Sequence, residues 1–236
     1  MLLAKESFKL FEQYLPFLNN KQKQDLYDYY YLIETENQKY NLTGFSDEKL
    51  ICEGLIESIL IFQAITSSIL NLDSKVVLDI GSGVGFPILP YFIINPTFNL
   101  TIYEPINKRV NFLEMVIAKL NLQNITIKKI RAEDSKETEK FDFISARAVS
   151  ELKNLMEISH HLLKQNGICC FLKSLNYLQE IENAKSIKET LGIERISTFS
   201  LGQFFTISNV LVYYQKNKKT PKGYPRKWQT IIKEQR

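Results

Sequence analysis

The 236-residue sequence predicts an α/β fold, a mostly parallel seven-stranded sheet with helices on both faces, preceded by a helical extension. Three observations predict it. The apolar period changes at about Lys75, from helical spacing before it to short β-rich runs after it. Seven such runs follow, most of them separated by helical segments, which is the signature of parallel strands joined by crossover helices. The first run ends in "DIGSGVG" (79–85), where an open parallel sheet would turn a strand into a helix.

Residues 5 to about 70 form the extension. Leu26, Tyr29, Tyr30 and Ile33 recur at helical spacing, as do Leu50, Leu55, Ile59 and Phe62. "NLTGFSD" (41–47) breaks the pattern, and Ser46 or Asp47 is placed to cap the next helix. The strands expected are VVLDI (76–80), LTIYE (100–104), ITIKKI (125–130), FDFISA (141–146), ICCFLK (168–173), RISTFS (195–200) and NVLVYYQ (209–215). Ile106, Val110, Leu113, Ile117 and Leu120 mark one crossover helix. The last two strands, joined by a short link at 201–208, should form an antiparallel pair at one edge. The tail "KNKKTPKGYPRKW" (216–228) has two prolines and many charges, as a mobile arm would. The organisation expected is an extension at 1–70, a core at 71–215 and a basic arm at 216–236.

Composition bounds the function. The chain is long enough to bury a core without disulfides or a structural metal. Cys52, Cys169 and Cys170 lack metal-ligand spacing and suit reduced core thiols in a cytosol. His160 and His161 are adjacent and are the two histidines, which makes a zinc site improbable. No apolar run looks long enough for a membrane span, so no membrane is expected. Net charge is +4, but eight bases and one acid from Lys216 onward give that end +7 and leave residues 1–215 at −3. An anionic partner would therefore meet the C-terminal end first.

At the glycines, a tight strand-to-helix turn is the bland reading. Gly81 and Gly83 would allow a sharp turn and close backbone approach, and Gly85 would let the helix pack on the strand. A helix N-terminus there would favour polar or anionic ligand groups. Dinucleotide binding through G-x-G-x-x-G would need glycine where Phe86 stands, followed here by Pro87. The spacing D-x-G-x-G-x-G, with Asp79 leading and Ser82 within it, resembles motif I of class I methyltransferases that bind S-adenosylmethionine. Glu104 ends the second strand, where a carboxylate can accept both ribose hydroxyls. In "RAED" (131–134), Ala132 and Glu133 could hold adenine, with Asp134 an open alternative to Glu133.

Further stretches narrow the resemblance: "YNLTGFSD" (40–47), "NKRVNFL" (107–113), "SARAVSEL" (145–152), "FLKS" (171–174) and "KGYPRKWQT" (222–230). With "VLDIGSGVGFPILP" they look like the bacterial small-subunit ribosomal RNA guanine-N7 methyltransferase family, also called glucose-inhibited division protein B. That resemblance implies a class I, Rossmann-like methyltransferase using S-adenosylmethionine on small-subunit ribosomal RNA in its 530-loop region, in the cytoplasm and as a monomer. It implies that Gly81, Gly83, Gly85 and Phe86 surround the methionine part and that Glu104, in place of the usual Asp, takes the ribose. It places Arg147 near cofactor and substrate, Lys173 at the end of strand five, Asn41 and Thr43 over the active site, and Arg226 in the C-terminal motif. RNA contact is expected from Lys108, Arg109, Arg147, Lys173 and the arm, including Lys222, Arg226 and Lys227. The basic charge of Lys108 and Arg109 is unfavourable at a helix start, which points to an anionic partner.

One departure stands out. The family's Arg/Lys-His pair is Glu53-Gly54 here, before Leu55-Ile56-Glu57-Ser58. Residues 1–70 also hold ten acids against six bases, which does not suit a phosphate grip. Guanine N7 has a lone pair and no proton to lose, so methyl transfer to it is an in-line displacement that needs no general base. Positioning then supplies most of the rate. A class I methyltransferase with another substrate and a non-catalytic assembly factor stay open as alternatives.

Overall fold

The computed structural model describes residues 1–204 and 207–233. Residues 205–206 of the expected link, and Glu234 and Arg236 of the expected arm, lie outside the described residues. The chain divides into two compact units, residues 1–73 with 82–129, and residues 74–81 with 130–236.

The strands are β1 (Val76–Ile80), β2 (Asn99–Tyr103), β3 (Ile125–Lys128), β4 (Phe141–Arg147), β5 (Leu163–Lys173), β6 (Ser197–Phe204) and β7 (Ile207–Gln215), in one sheet ordered β3-β2-β1-β4-β5-β7-β6. Pairs β1–β4, β2–β3 and β4–β5 are parallel, whereas β7 runs antiparallel to both β5 and β6. The last two strands thus form the expected edge pair. Their ends differ from expectation: β6 continues to Phe204, so the residues expected to start the link are still strand. Strand β5 begins at Leu163, five residues early, across the polar stretch Lys164 to Asn166 and a register shift opposite Phe141/Phe143.

The first unit contains α1 (Ala4–Tyr14), α2 (Asn20–Tyr40), α3 (Asp47–Lys49), α4 (Glu57–Ser68), α5 (Ile88–Ile94) and α6 (Asn107–Lys119). A capping box starts α2: Asn19 Oδ1 accepts from the Gln22 amide at 2.9 Å, and Gln22 Oε1 from the Asn19 amide at 3.0 Å. Asn41 ends the helix at φ 46°, and Asn37 Oδ1 accepts from the amides of Leu42 and Thr43 at 2.6 and 2.9 Å. Ser46 stands at the start of α3 but makes no side-chain cap. Leu50–Ile56 joins α3 to α4 as a π-helical segment, so Asp47–Ser68 is one helical run. That run corrects the expectation of no span-length apolar stretch: by length and composition it could cross a membrane. Of its most apolar 18-residue window, 72% is buried inside the protein, as in a core helix.

Tyr29 and Tyr30 of α2 are fully buried in this unit. The Tyr29 hydroxyl donates to the carbonyl of Val84 in the glycine loop, and its ring meets that of Phe86 edge-on at 6.3 Å.

The second unit holds α7 (Leu152–His160), α8 (Tyr177–Asn183), α9 (Lys185–Thr190) and α10 (Trp228–Lys233). Here the arm departs from the mobile tail expected. Lys216 is fully buried, and its ammonium donates to the carbonyls of His160 and Leu163 at 3.1 and 2.9 Å. Burial pulls its pKa down, and Glu139 at 3.4 Å opposes the drop. Ile231 of α10 is buried as well. Charge alone suggests a solvated tail; the carbonyl ends of α7 and of the chain entering β5 hold Lys216 instead.

Two predictions follow from these contacts. Tyr29→Phe leaves the Val84 carbonyl without its donor and should cost roughly 1–3 kcal/mol in urea unfolding; an unchanged midpoint would contradict the contact. His160 and His161 are pushed down by burial, then by Lys216, to about 3 and about 4 from an ordinary 6.5. The folded chain keeps both rings neutral while the unfolded chain protonates them below 6.5. Stability from these rings is full above that pH and is lost as pH falls towards the folded values. Each ring should contribute a slope approaching ~1.4 kcal/mol per pH unit below the unfolded pKa. His161→Leu should remove about half of the slope between pH 6 and 5, read from urea unfolding at each pH.

Candidate functional site

The glycine loop follows β1, and its path needs residues that tolerate positive φ. Gly83 sits at φ 62° and Gly85 at 113°. A Cβ on Gly85 would lie 2.6 Å from the Tyr29 hydroxyl and 2.7 Å from Leu89 Cδ2. Gly85 therefore makes room for Tyr29 of α2 as well as for Leu89 of α5, the helix that follows the turn. The amides of Gly85 and Phe86 are bonded to the Ser82 carbonyl at 2.8 and 3.0 Å, and α5 starts only at Ile88. The expected free amides of a helix start are thus partly used inside the turn.

Within the first unit, Glu104 follows directly on β2 and is 1% exposed. Its Oε2 accepts the Gly83 amide at 3.0 Å, and its Oε1 accepts the Ile106 amide at 2.9 Å. Arg109 Nη1 lies 3.9 Å from Glu104 Oε2, too far for a hydrogen bond but close enough for charge pairing. The ring of Phe86 lies 6.4 Å from that of Phe45, centre to centre, and a Cβ on Gly54 would come within 2.8 Å of it. The Glu53-Gly54 departure therefore falls on the π-helical segment, with the small residue facing Phe86. Lys108 donates to the carbonyls of Tyr40 and Asn41 at 2.6 and 3.1 Å, the C-terminal end of α2. A cation suits that end of a helix. Lys108 thereby ties down the stretch that contains Asn41 and Thr43.

Within the second unit, Asp79 is fully buried on β1, and the Ser145 hydroxyl on the facing position of β4 donates to it at 2.6 Å. Ala132, Glu133 and Asp134 form a 3-10 turn after β3. Burial raises the pKa of Glu133, and its Oε1 is buried with no hydrogen-bond partner. An unused buried acceptor there fits a ligand amino group, the donor that adenine presents. Gly81, at φ 70°, would meet Val149 Cγ2 at 2.6 Å if it carried a Cβ.

Arg147 ends β4 opposite Leu172 of β5. It lines a cavity of about 480 Å³ with Ser150, Lys173, Glu180 and Asn209. Lys173, 7% exposed, is held by Glu180 at 2.6 Å and by the Ser150 carbonyl at 2.7 Å. Glu180 Oε2 also accepts the Leu152 amide at 2.7 Å, so one carboxylate ties the end of β5 to the first turn of α7. Arg226 is committed too: Nε and Nη2 each meet a Glu157 oxygen at 2.8 Å, and its amide donates to Oε1 at 3.0 Å. Lys222 and Lys227 are exposed. Sequence reasoning missed Tyr29, Ser145, Glu157 and Glu180; Ser145 alone carried a signal, through its alignment with Asp79 in neighbouring parallel strands.

A family model described as rRNA small subunit methyltransferase G matches residues 22–205. A ribosomal RNA small subunit methyltransferase G from Mesoplasma florum is 36% identical over 231 residues, covering 97% of this chain and 96% of its own. One from Mycoplasma mobile is 45% identical over 170 residues, covering 70% of this chain and 75% of its own. Among solved structures, the tRNA (m1A58) methyltransferase TrmI from Aquifex aeolicus superposes with a TM-score of 0.56 at 18% identity, covering 75% and 74% of the two chains. That likeness establishes the fold as the class I methyltransferase arrangement.

The Lys173–Glu180 pair yields a prediction. Lys173 is buried and Glu180 half-buried. Glu180→Ala strands the buried ammonium and should destabilise by about 3 kcal/mol, and Lys173→Ala, which leaves a partly solvated carboxylate, by less. The double variant should cost less than the two added, by about 0.5–3 kcal/mol in denaturant unfolding. Strict additivity would mean that the pair is not formed in solution.

Proposed function

The chain belongs to the rRNA small subunit methyltransferase G family, and on that premise we propose that it methylates a guanine N7 in the 530-loop region of small-subunit ribosomal RNA with S-adenosylmethionine. The observation that carries this reading is the family match over residues 22–205, which includes the glycine loop, Glu104, Glu133, Arg147 and Lys173. The methyl donor supplies a methyl group on a sulfonium, electrophilic enough to be taken by a neutral ring nitrogen.

The chain's own residues bind and orient. In the first unit, the backbone at Gly83 and Gly85 and the ring of Phe86 would flank the methionine portion. Glu104 keeps acceptor lone pairs beyond its two amide bonds, and these suit ribose hydroxyls. In the second unit, Asp79, Gly81 and Ala132 would add backbone and carboxylate contacts, and the unused Glu133 oxygen would take the adenine amino group. Arg147, which lines the 480 Å³ cavity, would hydrogen-bond the guanine O6 edge, stack on it or hold a phosphate. Lys173, locked by Glu180, would hold the loop at Ser150 rather than carry a proton. No group in this set is needed as a base, since the attacking nitrogen has no proton to release. The grip on phosphate falls chiefly to Lys222 and Lys227, with Arg226 anchoring the arm through Glu157.

The reading is tested by transfer of labelled methyl to small-subunit particles lacking the modification. Gly83→Val, strained at φ 62°, should abolish S-adenosylhomocysteine binding in calorimetry. Arg147→Ala should bind the cofactor product yet lower methyl transfer by about a hundredfold, the scale of a lost positioning group. Full transfer by Arg147→Ala would remove its proposed role. Replacing Lys222 and Lys227 together should flatten the log K against log salt slope for a single-stranded RNA fragment by about 1.4.

A further inference from the structure

Arg109 and Glu104 stand in an unusual relation for two opposite charges. Glu104 is 1% exposed, and the guanidinium of Arg109 is the cation paired with it among the described residues. The pair is nevertheless loose, at 3.9 Å, and Glu104 also accepts the amides of Gly83 and Ile106. Arg109 Nε is buried with no acceptor, so the side chain holds donor capacity that the protein does not use. The guanidinium carbon lies 3.9 Å from where a Cβ on Gly83 would stand, which sets it over the bare face of the glycine loop. A side chain reaching for RNA phosphate would extend into solvent; this one is two-thirds covered and turned towards the loop.

The geometry points to Arg109 as a positioning residue for the nucleoside of the methyl donor, acting through Glu104, rather than as an RNA contact. This rests on the cofactor reading above. Burying a carboxylate without a countercharge is costly, and the amides of Gly83 and Ile106 supply dipoles but no charge. Arg109 supplies the charge from a distance that leaves the carboxylate's remaining lone pairs open to ribose hydroxyls. Its first-turn position on α6, unfavourable for a cation in a bare helix, is offset by Glu104.

Calorimetry with S-adenosylhomocysteine and its 2′,3′-dideoxy analogue tests this on the full chain, with circular dichroism to confirm folding. Arg109→Gln should weaken S-adenosylhomocysteine about tenfold, the scale of weakened charge-assisted bonds from Glu104 to the ribose hydroxyls, and should change binding of the dideoxy analogue less than about twofold. Arg109→Lys should recover most of the affinity. Equal loss with both ligands would make Arg109 a merely structural residue and overturn the proposal. So would unchanged affinity accompanied by an RNA salt slope flatter by about 0.7, which is one phosphate contact. If the unaltered chain binds no S-adenosylhomocysteine, the cofactor reading itself fails and takes this inference with it. Binding by the unaltered chain with no effect of Arg109→Gln overturns the inference alone.

Discussion

The carbonyl of Val84 and the amide of Gly83 fix the glycine loop, and much of the first unit is arranged to meet them. Gly81, Gly83 and Gly85 take φ values of 70°, 62° and 113°, a path closed to most side chains. Because Gly85 has no side chain, the Tyr29 hydroxyl reaches Val84 from a helix 55 residues earlier in the chain. On the loop's other side, Glu104 accepts the Gly83 amide, with Arg109 beside it. The N-terminal extension is therefore a support of the loop. A loop held from both ends has little conformational freedom to lose when a ligand arrives, which is what preorganised binding requires.

The same economy recurs among the buried and half-buried charges. Asp79 has the Ser145 hydroxyl, Lys173 has Glu180 and a carbonyl, Arg226 has both oxygens of Glu157, and Lys216 has two carbonyls and Glu139. None of these pairs is strong evidence of stability, because desolvation offsets most of the attraction. What they fix is geometry. Strand ends, the loop after β4 and the C-terminal arm are each fastened at a defined point. Glu133 is the contrast: a buried carboxylate oxygen without a protein partner, in the turn where a nucleobase is expected.

Local pattern made the parallel strands, the crossover helix and the edge pair legible, because burial on both faces leaves continuous apolar runs and the turns carry glycine. What was hidden depends on residues far apart in sequence. The start of β5 at Leu163 runs through polar residues that only neighbouring backbone could order. The apolar character of Asp47–Ser68 was masked by the charges at its start, and its π-helical segment has no periodic signature. Lys216 and Arg226 looked like solvated arm residues until carbonyls and Glu157, 69 residues away from Arg226, appeared beside them. The glycine loop, Glu104 and Glu133 were legible as types of residue in a spacing, and Arg147 through the family resemblance. The supports from distant helices, Tyr29 on Val84 and Glu180 on Lys173, were not.

On the proposed reading, methyl transfer to a ring nitrogen would ask for alignment and exclusion of water, which fastened loops would supply without a titrating base. The most direct measurement is nucleotide-resolution mapping of 7-methylguanine in small-subunit ribosomal RNA from cells with and without the gene. The account predicts that one guanine in the 530-loop region loses its methyl group on deletion and regains it when the unaltered chain is supplied. An identical methylation pattern in both cells would contradict it.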